Sequence, residues 1–268
     1  MKLLNGSELA GFIKERHAKQ VRRLKSTGIQ PKLAIVQVKD DPVINTYVRL
    51  KQRYGADIGV EVEVHTPKQS EAPKLLNKLS NDKSVHGIIV QLPLEDPSKT
   101  EKIVNMVALE KDVDALGRNA KFEPATPMAI LWLLNGYNVD LSGKHVLLIG
   151  RGKLVGEPLE KILKSSGVDV EVIEREVKDL ANHTKNADII ITATGSPAIL
   201  YSEMIKQGAV VVDAGVASES GKTVGDLAPE VYDRDDLTIT PEKGGVGPLT
   251  VSALFENVIR AASHAAEG

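Results

Sequence analysis

The sequence contains no cysteine among its 268 residues. Disulfide bonds, thiolate nucleophiles and cysteine-ligated zinc or iron-sulfur centres are therefore excluded. Aromatic residues make up only 3% of the chain, so the core has to be built from Val, Ile, Leu and Ala, which suits buried parallel strands flanked by helices. No stretch approaches the about 18 consecutive apolar residues of a membrane-spanning helix, and no apolar segment follows a basic start. We therefore expect a cytoplasmic protein with no membrane partner.

An excess of charge of one sign is also missing, since the formal net charge is -2. This balance disfavours a nucleic-acid partner, which would require a basic surface. The chain is 42% hydrophobic and 26% charged, a composition typical of a globular enzyme. Its length exceeds that of a usual single domain. We therefore expect either two α/β domains or one large one.

Short apolar runs rich in β-branched residues alternate with longer amphipathic stretches, which predicts strand-helix-strand units and parallel sheets. The predicted strands are 32–38, 60–66, 87–92, 145–149, 169–173, 188–193 and 209–214. The predicted helices are 6–26, 45–54, 72–79, 127–134, 154–164 and 249–266. Sheet character is lost around 101–117. We place the domain boundary near residue 120, with 1–120 and the C-terminal helix 249–268 as one domain and 121–248 as the other.

A glycine-rich turn follows the strand 145–149, in the segment Gly143-Lys-His-Val-Leu-Leu-Ile-Gly-Arg-Gly-Lys-Leu-Val-Gly156. Glycine lets a backbone approach a pyrophosphate closely, and the N-terminus of the next helix offers unpaired N–H groups to phosphate oxygens. The spacing G-x-G-x-x-x-G is one residue longer than the common fingerprint. A tight turn without a ligand is the alternative. The strand context favours a doubly wound dinucleotide-binding domain, in which Gly150 and Gly152 contact the cofactor.

The end of the second strand of this domain contains two residues that compete for the adenosine ribose. A carboxylate at Glu174 would accept a hydrogen bond from the 2'-hydroxyl and favour NAD, whereas Arg175 together with Arg151 would pair with a 2'-phosphate and favour NADP. We expect NADP, with NAD as the alternative. Two further strands of this domain end in Thr194-Gly195 and Asp213-Ala-Gly215, where ligands of such sheets lie.

Tyr47 and Lys51 are four residues apart on a predicted helix and so share one face. A lysine beside a tyrosine hydroxyl in a partly dry site can transfer protons, because desolvation lowers the pKa of an amine. An exposed helical lysine is the alternative reading of this pair.

Three further segments extend the pattern: Gly87-Ile-Ile-Val-Gln-Leu-Pro-Leu94, Lys111-Asp-Val-Asp-Ala-Leu-Gly117 and Ile239-Thr-Pro-Glu-Lys-Gly-Gly-Val-Gly-Pro-Leu-Thr250. With the Tyr47/Lys51 pair and the glycine turn, they resemble the bifunctional methylenetetrahydrofolate dehydrogenase/methenyltetrahydrofolate cyclohydrolase family over nearly the whole chain. The resemblance implies an N-terminal α/β substrate domain, a Rossmann-type dinucleotide-binding domain and a cleft between them. It also implies a homodimer formed through the cofactor domains.

The resemblance implies that 5,10-methylenetetrahydrofolate is oxidised with NADP and that the methenyl product is hydrolysed to 10-formyltetrahydrofolate. Lys51 would be the catalytic lysine, Tyr47 would position the folate, Gln91 would hold Lys51, and Asp114 would bind the pterin. A metal is not expected. The other residues assigned to substrate are Gly245 and Pro248, with Gly244 beside them, and those assigned to the cofactor are Gly150, Arg151, Gly152, Arg175, Thr194, Gly195, Val216 and Gly247.

The chain departs from the family pattern at some positions. It has Gly150-Arg-Gly152 where Gly-Arg-Ser is usual, and Glu174-Arg-Glu-Val177 where His-Ser-x-Thr is usual. Two alternatives to the bifunctional enzyme follow: a monofunctional dehydrogenase, and a catalytically silent folate- or nucleotide-binding protein. Retention of Lys51 favours the bifunctional enzyme over both.

Overall fold

The computed structural model describes residues 1–174, 176–219 and 222–265. The strands are β1 (Lys2–Leu3), β2 (Lys32–Gln37), β3 (Glu61–His65), β4 (Gly87–Gln91), β5 (Val146–Ile149), β6 (Val170–Ile173), β7 (Ile189–Thr192), β8 (Val210–Asp213), β9 (Ala217–Glu219), β10 (Lys222–Val224) and β11 (Thr238–Ile239). The α-helices are α1 (Gly6–Ser26), α2 (Pro42–Ile58), α3 (Ala72–Asn81), α4 (Thr100–Val104), α5 (Ala125–Gly136), α6 (Gly156–Ser165), α7 (Leu180–Asn186) and α8 (Val246–His264). The predicted α/β class is confirmed.

One compact unit comprises Met1–Ala10 and Thr126–Thr250. Its six-stranded sheet has the order β1-β11-β8-β7-β5-β6, and every neighbouring pair is parallel. The chain goes from β5 outward to β6 and then crosses to β7 on the other side. The strand order therefore reverses between β5 and β7, and ligands of doubly wound sheets bind beyond the carboxyl ends of the strands at such a point.

The start of the chain joins this unit, whereas the sequence analysis assigned residues 1–120 to the other domain. The backbone N–H of Lys2 donates to Leu237 O at 2.9 Å, and the N–H of Leu4 donates to Ile239 O at 2.8 Å. Leu4 is fully buried. A two-residue strand shows no periodicity in the sequence, so its pairing is decided by contacts made more than 200 positions away.

The second unit comprises Gly11–Ala125 and the residues from Val251 onward. Its three-stranded parallel sheet has the order β3-β2-β4, with α2 and α3 as the crossover connections. In this register Gln37 at the end of β2 lies beside Gln91 at the end of β4. Two glutamines therefore stand together at the carboxyl edge of the sheet, where β2 and β4 end.

Helix α2 begins three residues before the predicted start, because the residues ahead of it cap it. The Asp41 side chain accepts hydrogen bonds from the N–H groups of Val43 (2.9 Å) and Ile44 (3.4 Å), and proline occupies the first turn, where no N–H is needed. The helix ends at Gly59, which has φ 86° and closes the C-terminus in the left-handed conformation. Lys51 is therefore in the middle of a well-capped helix.

The part of α8 from Val251 onward packs against elements of the second unit. The ring of Phe255, which is fully buried, lies 5.0 Å from the ring of Tyr54 between centroids. The Asn257 side chain donates to the carbonyl oxygens of Val113 and Glu123, each at 2.9 Å. These contacts connect the C-terminal helix to α2 and to the segment that follows β4.

Candidate functional site

Lys51 and Gln91 are brought together by α2 and the end of β4. Lys51 Nζ donates a hydrogen bond to Gln91 Oε1 at 2.8 Å. The amide nitrogen of Gln91 donates to Leu92 O at 3.1 Å, so its oxygen is the atom that the side chain presents to the lysine. The Gln91 side chain thereby holds Nζ at a defined position.

Two residues that the sequence analysis did not single out support this arrangement. The Gln37 amide donates to Asn45 Oδ1 at 2.6 Å and to Lys39 O at 2.9 Å. Because Asn45 belongs to the first turns of α2, this bond ties the end of β2 to the helix that carries Lys51. The sequence contains a signal for Gln37, since the dipeptide Val-Gln ends both β2 and β4.

Burial and one carboxylate determine the charge of Lys51. Burial lowers the pKa of its amine, and the negative charge of Asp114 acts in the opposite direction. Burial also raises the pKa of Asp114, and the lysine opposes that shift. Each group therefore supports the charged form of the other in surroundings that disfavour charge. Such a lysine can give up and regain a proton more readily than an exposed one.

The loop around Asp114 is shaped by Asp112. The Asp112 carboxylate accepts hydrogen bonds from the N–H groups of Leu116 (3.3 Å) and Gly117 (2.8 Å). A Cβ added at Gly117 would lie 2.8 Å from Asp112 Oδ2, so glycine is needed for this turn. The two aspartates of the Lys111–Gly117 motif thus have different tasks: Asp112 organises the loop and Asp114 interacts with the lysine.

Tyr47 is one helical turn before Lys51 on α2 and is partly buried. Burial raises the pKa of its phenol, so the hydroxyl keeps its proton at neutral pH. A neutral tyrosine offers an aromatic face for stacking and a hydroxyl that donates or accepts hydrogen bonds.

The glycine turn after β5 is tightly packed at Gly150 and Gly156. Gly150 has φ 100°, and a Cβ there would lie 2.7 Å from Ala193 O. A Cβ on Gly156 would collide with Gly150 O. The N-cap residue of α6, Val155, makes no side-chain cap hydrogen bond, and the N–H of Glu157 donates to Gly152 O at 3.1 Å. Gly152 differs, since a Cβ there meets nothing within 4 Å, and a serine would fit.

Arg151 is held by a carboxylate beneath the turn. Its Nε donates to Glu160 Oε2 at 2.8 Å, while Lys164 Nζ donates to the other oxygen of Glu160 at 2.7 Å. The Glu160 side chain is 9% exposed and the Arg151 side chain 57%. More than half of the Arg151 side chain therefore remains exposed although Glu160 holds its Nε. Glu174 is exposed, and Arg175 lies outside the described residues.

The loops after β7 and β8 contain the next predicted cofactor residues. Gly195 follows Thr194 in the left-handed conformation, with φ 64°. A Cβ on Gly195 would lie 3.2 Å from the carbonyl oxygen of Val216, whose side chain is 53% exposed. The two loops therefore lie side by side at the carboxyl edge of the sheet, next to the glycine turn that follows β5.

The glycine-rich segment before α8 packs on the start of α1. The N–H of Ser7 donates to Gly244 O at 2.9 Å, and Gly244 has φ 84°. A Cβ on Gly6 would collide with Gly245 O. Pro248 is in the first turn of α8, and a Cβ on Gly247 would meet nothing within 4 Å. Gly245, Gly247 and Pro248 belong to the first unit, whereas Tyr47, Lys51, Gln91 and Asp114 belong to the second.

Among residues 1–174, 176–219 and 222–265, no group of three or more His, Asp or Glu side chains is arranged to hold a metal ion. In the same ranges, every helix is too short or too polar to cross a bilayer.

Comparison with known proteins covers the whole chain. Residues 4–114 match the family model of the tetrahydrofolate dehydrogenase/cyclohydrolase catalytic domain, and residues 124–266 match that of its NAD(P)-binding domain. The bifunctional protein FolD of Campylobacter jejuni is 39% identical, over 98% of this chain and 99% of that protein.

Two solved structures give the same result. The bifunctional methylenetetrahydrofolate dehydrogenase/cyclohydrolase of Campylobacter jejuni superposes with a TM-score of 0.92 at 38% identity, covering 98% of this chain and 99% of that one. The Trypanosoma brucei enzyme, complexed with NADP and an inhibitor, has a TM-score of 0.93 at 28% identity, covering 99% of this chain and 98% of that one. This chain belongs to the tetrahydrofolate dehydrogenase/cyclohydrolase family.

Proposed function

We propose that this chain, a bifunctional methylenetetrahydrofolate dehydrogenase and methenyltetrahydrofolate cyclohydrolase, carries out proton transfer for its reactions at Lys51. It oxidises 5,10-methylenetetrahydrofolate with NADP and hydrolyses the methenyl product to 10-formyltetrahydrofolate. The observation that carries the assignment is the desolvated amine of Lys51, which donates to Gln91 Oε1 at 2.8 Å and interacts with the charge of Asp114.

Hydrolysis of the methenyl group requires that a water molecule lose a proton as it attacks a cationic carbon. Because burial lowers the pKa of Lys51, its amine is available as a base under conditions in which an exposed lysine stays protonated. Gln91 restrains Nζ, so the amine does not need to be reoriented before it acts. Tyr47 shares a face of α2 with Lys51 and would position the folate ring.

Asp114 is the proposed pterin ligand. The aminopyrimidine edge of a pterin presents two N–H donors side by side, and a carboxylate can accept from both. Burial raises the pKa of Asp114 and Lys51 opposes this shift, so the lysine helps to keep the carboxylate charged for this contact. The same electrostatic interaction supports placing the pterin next to the amine. Gly245 and Pro248 remain proposed substrate contacts.

The proposed cofactor site combines the glycine turn with the loops after β7 and β8. Gly150 and Gly152 would let the pyrophosphate approach the start of α6, and Arg151 would meet the 2'-phosphate of NADP. When bound, the nicotinamide accepts the hydride, and the protein supplies mainly placement. The other proposed contacts are Arg175, Thr194, Gly195, Val216 and Gly247.

The test mixes the protein with 5,10-methylenetetrahydrofolate and either NADP or NAD, and follows the absorbance of the reduced cofactor. Decay of methenyltetrahydrofolate absorbance without cofactor measures the second activity. We expect both activities, with NADP preferred. Oxidation without hydrolysis would indicate a monofunctional dehydrogenase, and binding without either reaction would indicate a silent binding protein.

We also propose a cytoplasmic homodimer assembled through the cofactor domains, on the basis of the family. Light scattering coupled to gel filtration tests the assembly, and a monomeric mass at micromolar concentration would overturn it. The proposed functional division assigns folate chemistry to 1–120 with 249–268 and cofactor binding to 121–248.

A further inference from the structure

Two aspartates outside the predicted site lie beneath the cofactor loops of the first unit. Asp213 ends β8, and Asp226 follows the β9–β10 hairpin thirteen residues later. Asp226 is completely buried, and Asp213 is mostly removed from water. Acidic side chains are almost never buried unless they are paired or hydrogen-bonded. The hydrogen-bond partners of Asp213 and Asp226 therefore indicate the role of each carboxylate.

The Asp226 carboxylate holds the loop after β7. Its Oδ2 accepts from the N–H of Thr194 at 2.8 Å, and its Oδ1 accepts from the N–H of Ser196 at 3.1 Å. These two N–H groups flank Gly195, which is in the left-handed conformation with φ 64°. One carboxylate thus clamps both sides of the turn and fixes the direction of its peptide groups.

The Asp213 carboxylate in turn holds Asp226 in place. It accepts from the N–H of Asp226 at 2.9 Å, from that of Leu227 at 3.3 Å, and from that of Gly215 in the loop after β8 at 2.9 Å. The hydroxyl of Thr192, at the end of β7, donates to Asp213 Oδ1 at 3.3 Å. The two carboxylates therefore connect the ends of β7 and β8 through one continuous network.

Glycines leave room for both carboxylates. A Cβ on Gly215 would collide with the Asp226 carboxylate, and a Cβ on Gly225 would collide with that of Asp213. Burial, and next the negative charge of Asp226, raise the pKa of Asp213 to about 6. Two acids are thus packed together at an electrostatic cost, which the backbone N–H groups offset.

The loop that Asp226 clamps is next to the dinucleotide turn. In the sheet order β8-β7-β5-β6, the turn after β5 is central, and the adenosine end of a dinucleotide lies on the β6 side. The loops after β7 and β8 therefore face the nicotinamide end.

We propose that Asp226, anchored by Asp213, is a positioning residue for the nicotinamide half of the cofactor. It sets the peptide groups of 194–196 in the orientation that the cofactor requires before binding. This inference depends on the cofactor site proposed above, and it assigns Asp226 no contact with the reacting atoms.

The test compares wild-type protein with Asp226→Asn. The amide keeps the shape of the side chain but has one acceptor oxygen instead of two, so the bond from the N–H of Thr194 or of Ser196 to residue 226 is lost. The N–H of Ser196 also donates to Thr194 Oγ1 at 3.1 Å, so the N–H of Thr194 is the donor that depends on Asp226 more strongly. Loss of a hydrogen bond to a charged group corresponds to about tenfold in binding. We expect KM for NADP to rise by about this factor, with a change in kcat of less than about threefold. Hydrolysis of methenyltetrahydrofolate needs no cofactor, so its rate measures how much folded protein each variant retains.

Asp188→Asn is the matched control. Asp188 immediately precedes β7 and so lies at the amino end of the strand, where its carboxylate accepts from the N–H of His145 at 3.0 Å and from Lys206 at 2.6 Å. Asp188 is at the amino ends of the strands, and the cofactor loops are at their carboxyl ends, so KM for NADP should not change in Asp188→Asn. A rise of KM in both variants would indicate a general loosening of the sheet and would overturn the inference.

If circular dichroism shows that Asp226→Asn is unfolded, the variant Thr192→Val tests the positioning role of Asp226 instead. This change keeps the shape of a buried side chain and removes only the hydroxyl, which donates to Asp213 at 3.3 Å and also interacts with Asp226. We expect KM for NADP to rise by about threefold, a smaller effect because a neutral donor is lost. An unchanged KM in a folded variant would overturn the inference. Wild-type protein that oxidises no methylenetetrahydrofolate would instead overturn the proposed function.

Discussion

Replacing Lys51 by methionine removes the amine while keeping most of the unbranched side chain. The lost group is Nζ, which donates to Gln91 Oε1 at 2.8 Å. A positioned proton-transfer group contributes about 10²- to 10⁴-fold to a rate. We therefore expect kcat for methenyl hydrolysis to fall by at least about 100-fold, which corresponds to about 2.7 kcal/mol of transition-state stabilisation at 1.36 kcal/mol per tenfold.

The same substitution acts on Asp114. The lysine charge lowers the pKa of this carboxyl, against the upward shift that burial causes. Without the lysine, Asp114 should hold a proton at higher pH, and a protonated carboxyl accepts fewer hydrogen bonds from a pterin. KM for the folate substrate should therefore rise in Lys51→Met, and more strongly as the pH falls.

The assay follows methenyltetrahydrofolate absorbance at several pH values, with NADP affinity measured by calorimetry. NADP affinity should stay near that of the wild type, because the glycine turn at Gly150 belongs to the other unit. Lys78→Met is the control, since this lysine is exposed on α3 of the same unit as Lys51. Hydrolysis at the wild-type rate in Lys51→Met would refute the assignment of the catalytic base.

Three further predictions concern the cofactor and stability. Glu160→Gln should raise KM for NADP by about fivefold, with a smaller effect on NAD, because Arg151 loses an ion pair worth at most about 1 kcal/mol. Phe255→Ala should lower the free energy of unfolding by about 3–5 kcal/mol, because its ring is fully buried against Tyr54. The pKa of Asp213 is raised to about 6 in the folded state, so its contribution to stability is present at low pH and is lost as the pH rises through about 6. The free energy of unfolding of the wild type minus that of Asp213→Asn should therefore decrease from pH 4 to 6 and then level off.

Matched variants distinguish these effects from general damage. Glu203→Gln removes an exposed carboxylate of the same unit, in the segment between β7 and β8, and it should leave both cofactor KM values unchanged. Phe12→Ala removes a ring that is 66% exposed, and denaturant titration should show a change of less than about 1 kcal/mol. Equal losses for the two phenylalanines would contradict the burial argument. A difference curve for Asp213 that rises with pH would contradict the direction of its pKa shift.

The elements that sequence patterns predicted are those that depend on local periodicity. The β-branched runs correspond to the observed strands β2 to β8 within about one residue at each end, and helix α1 has the predicted bounds. The patterns missed β1, β9, β10, β11, α4 and α7, none of which is longer than seven residues. Elements this short contain less than two periods of any pattern, so contacts with the rest of the chain decide whether they form.

The candidate site also has some features that the sequence predicts and others that depend on the folded structure. The spacing of Tyr47 and Lys51 follows from helical geometry, and the glycine turn follows from the strand before it. The family and its two activities could therefore be predicted from motifs and are confirmed. The repeated Val-Gln at the ends of two strands is a signal for Gln37. Its bond to Asn45 and the contacts of Asp226 could not be predicted, because they depend on partners that the sheet register or a loop crossing brings near.

The amino-acid sequence by itself determined the longer strands and helices, where glycine must stand in the turn after β5, and which side chains are available for chemistry. Only the tertiary structure decided the pKa values of these side chains. The pKa of Lys51 is lowered because segments distant in the sequence remove its amine from water. Asp112 and Asp114 are two residues apart, yet one shapes a loop and the charge of the other acts on the lysine. Such differences arise because desolvation and charge depend on distances in space, which the order of residues does not specify.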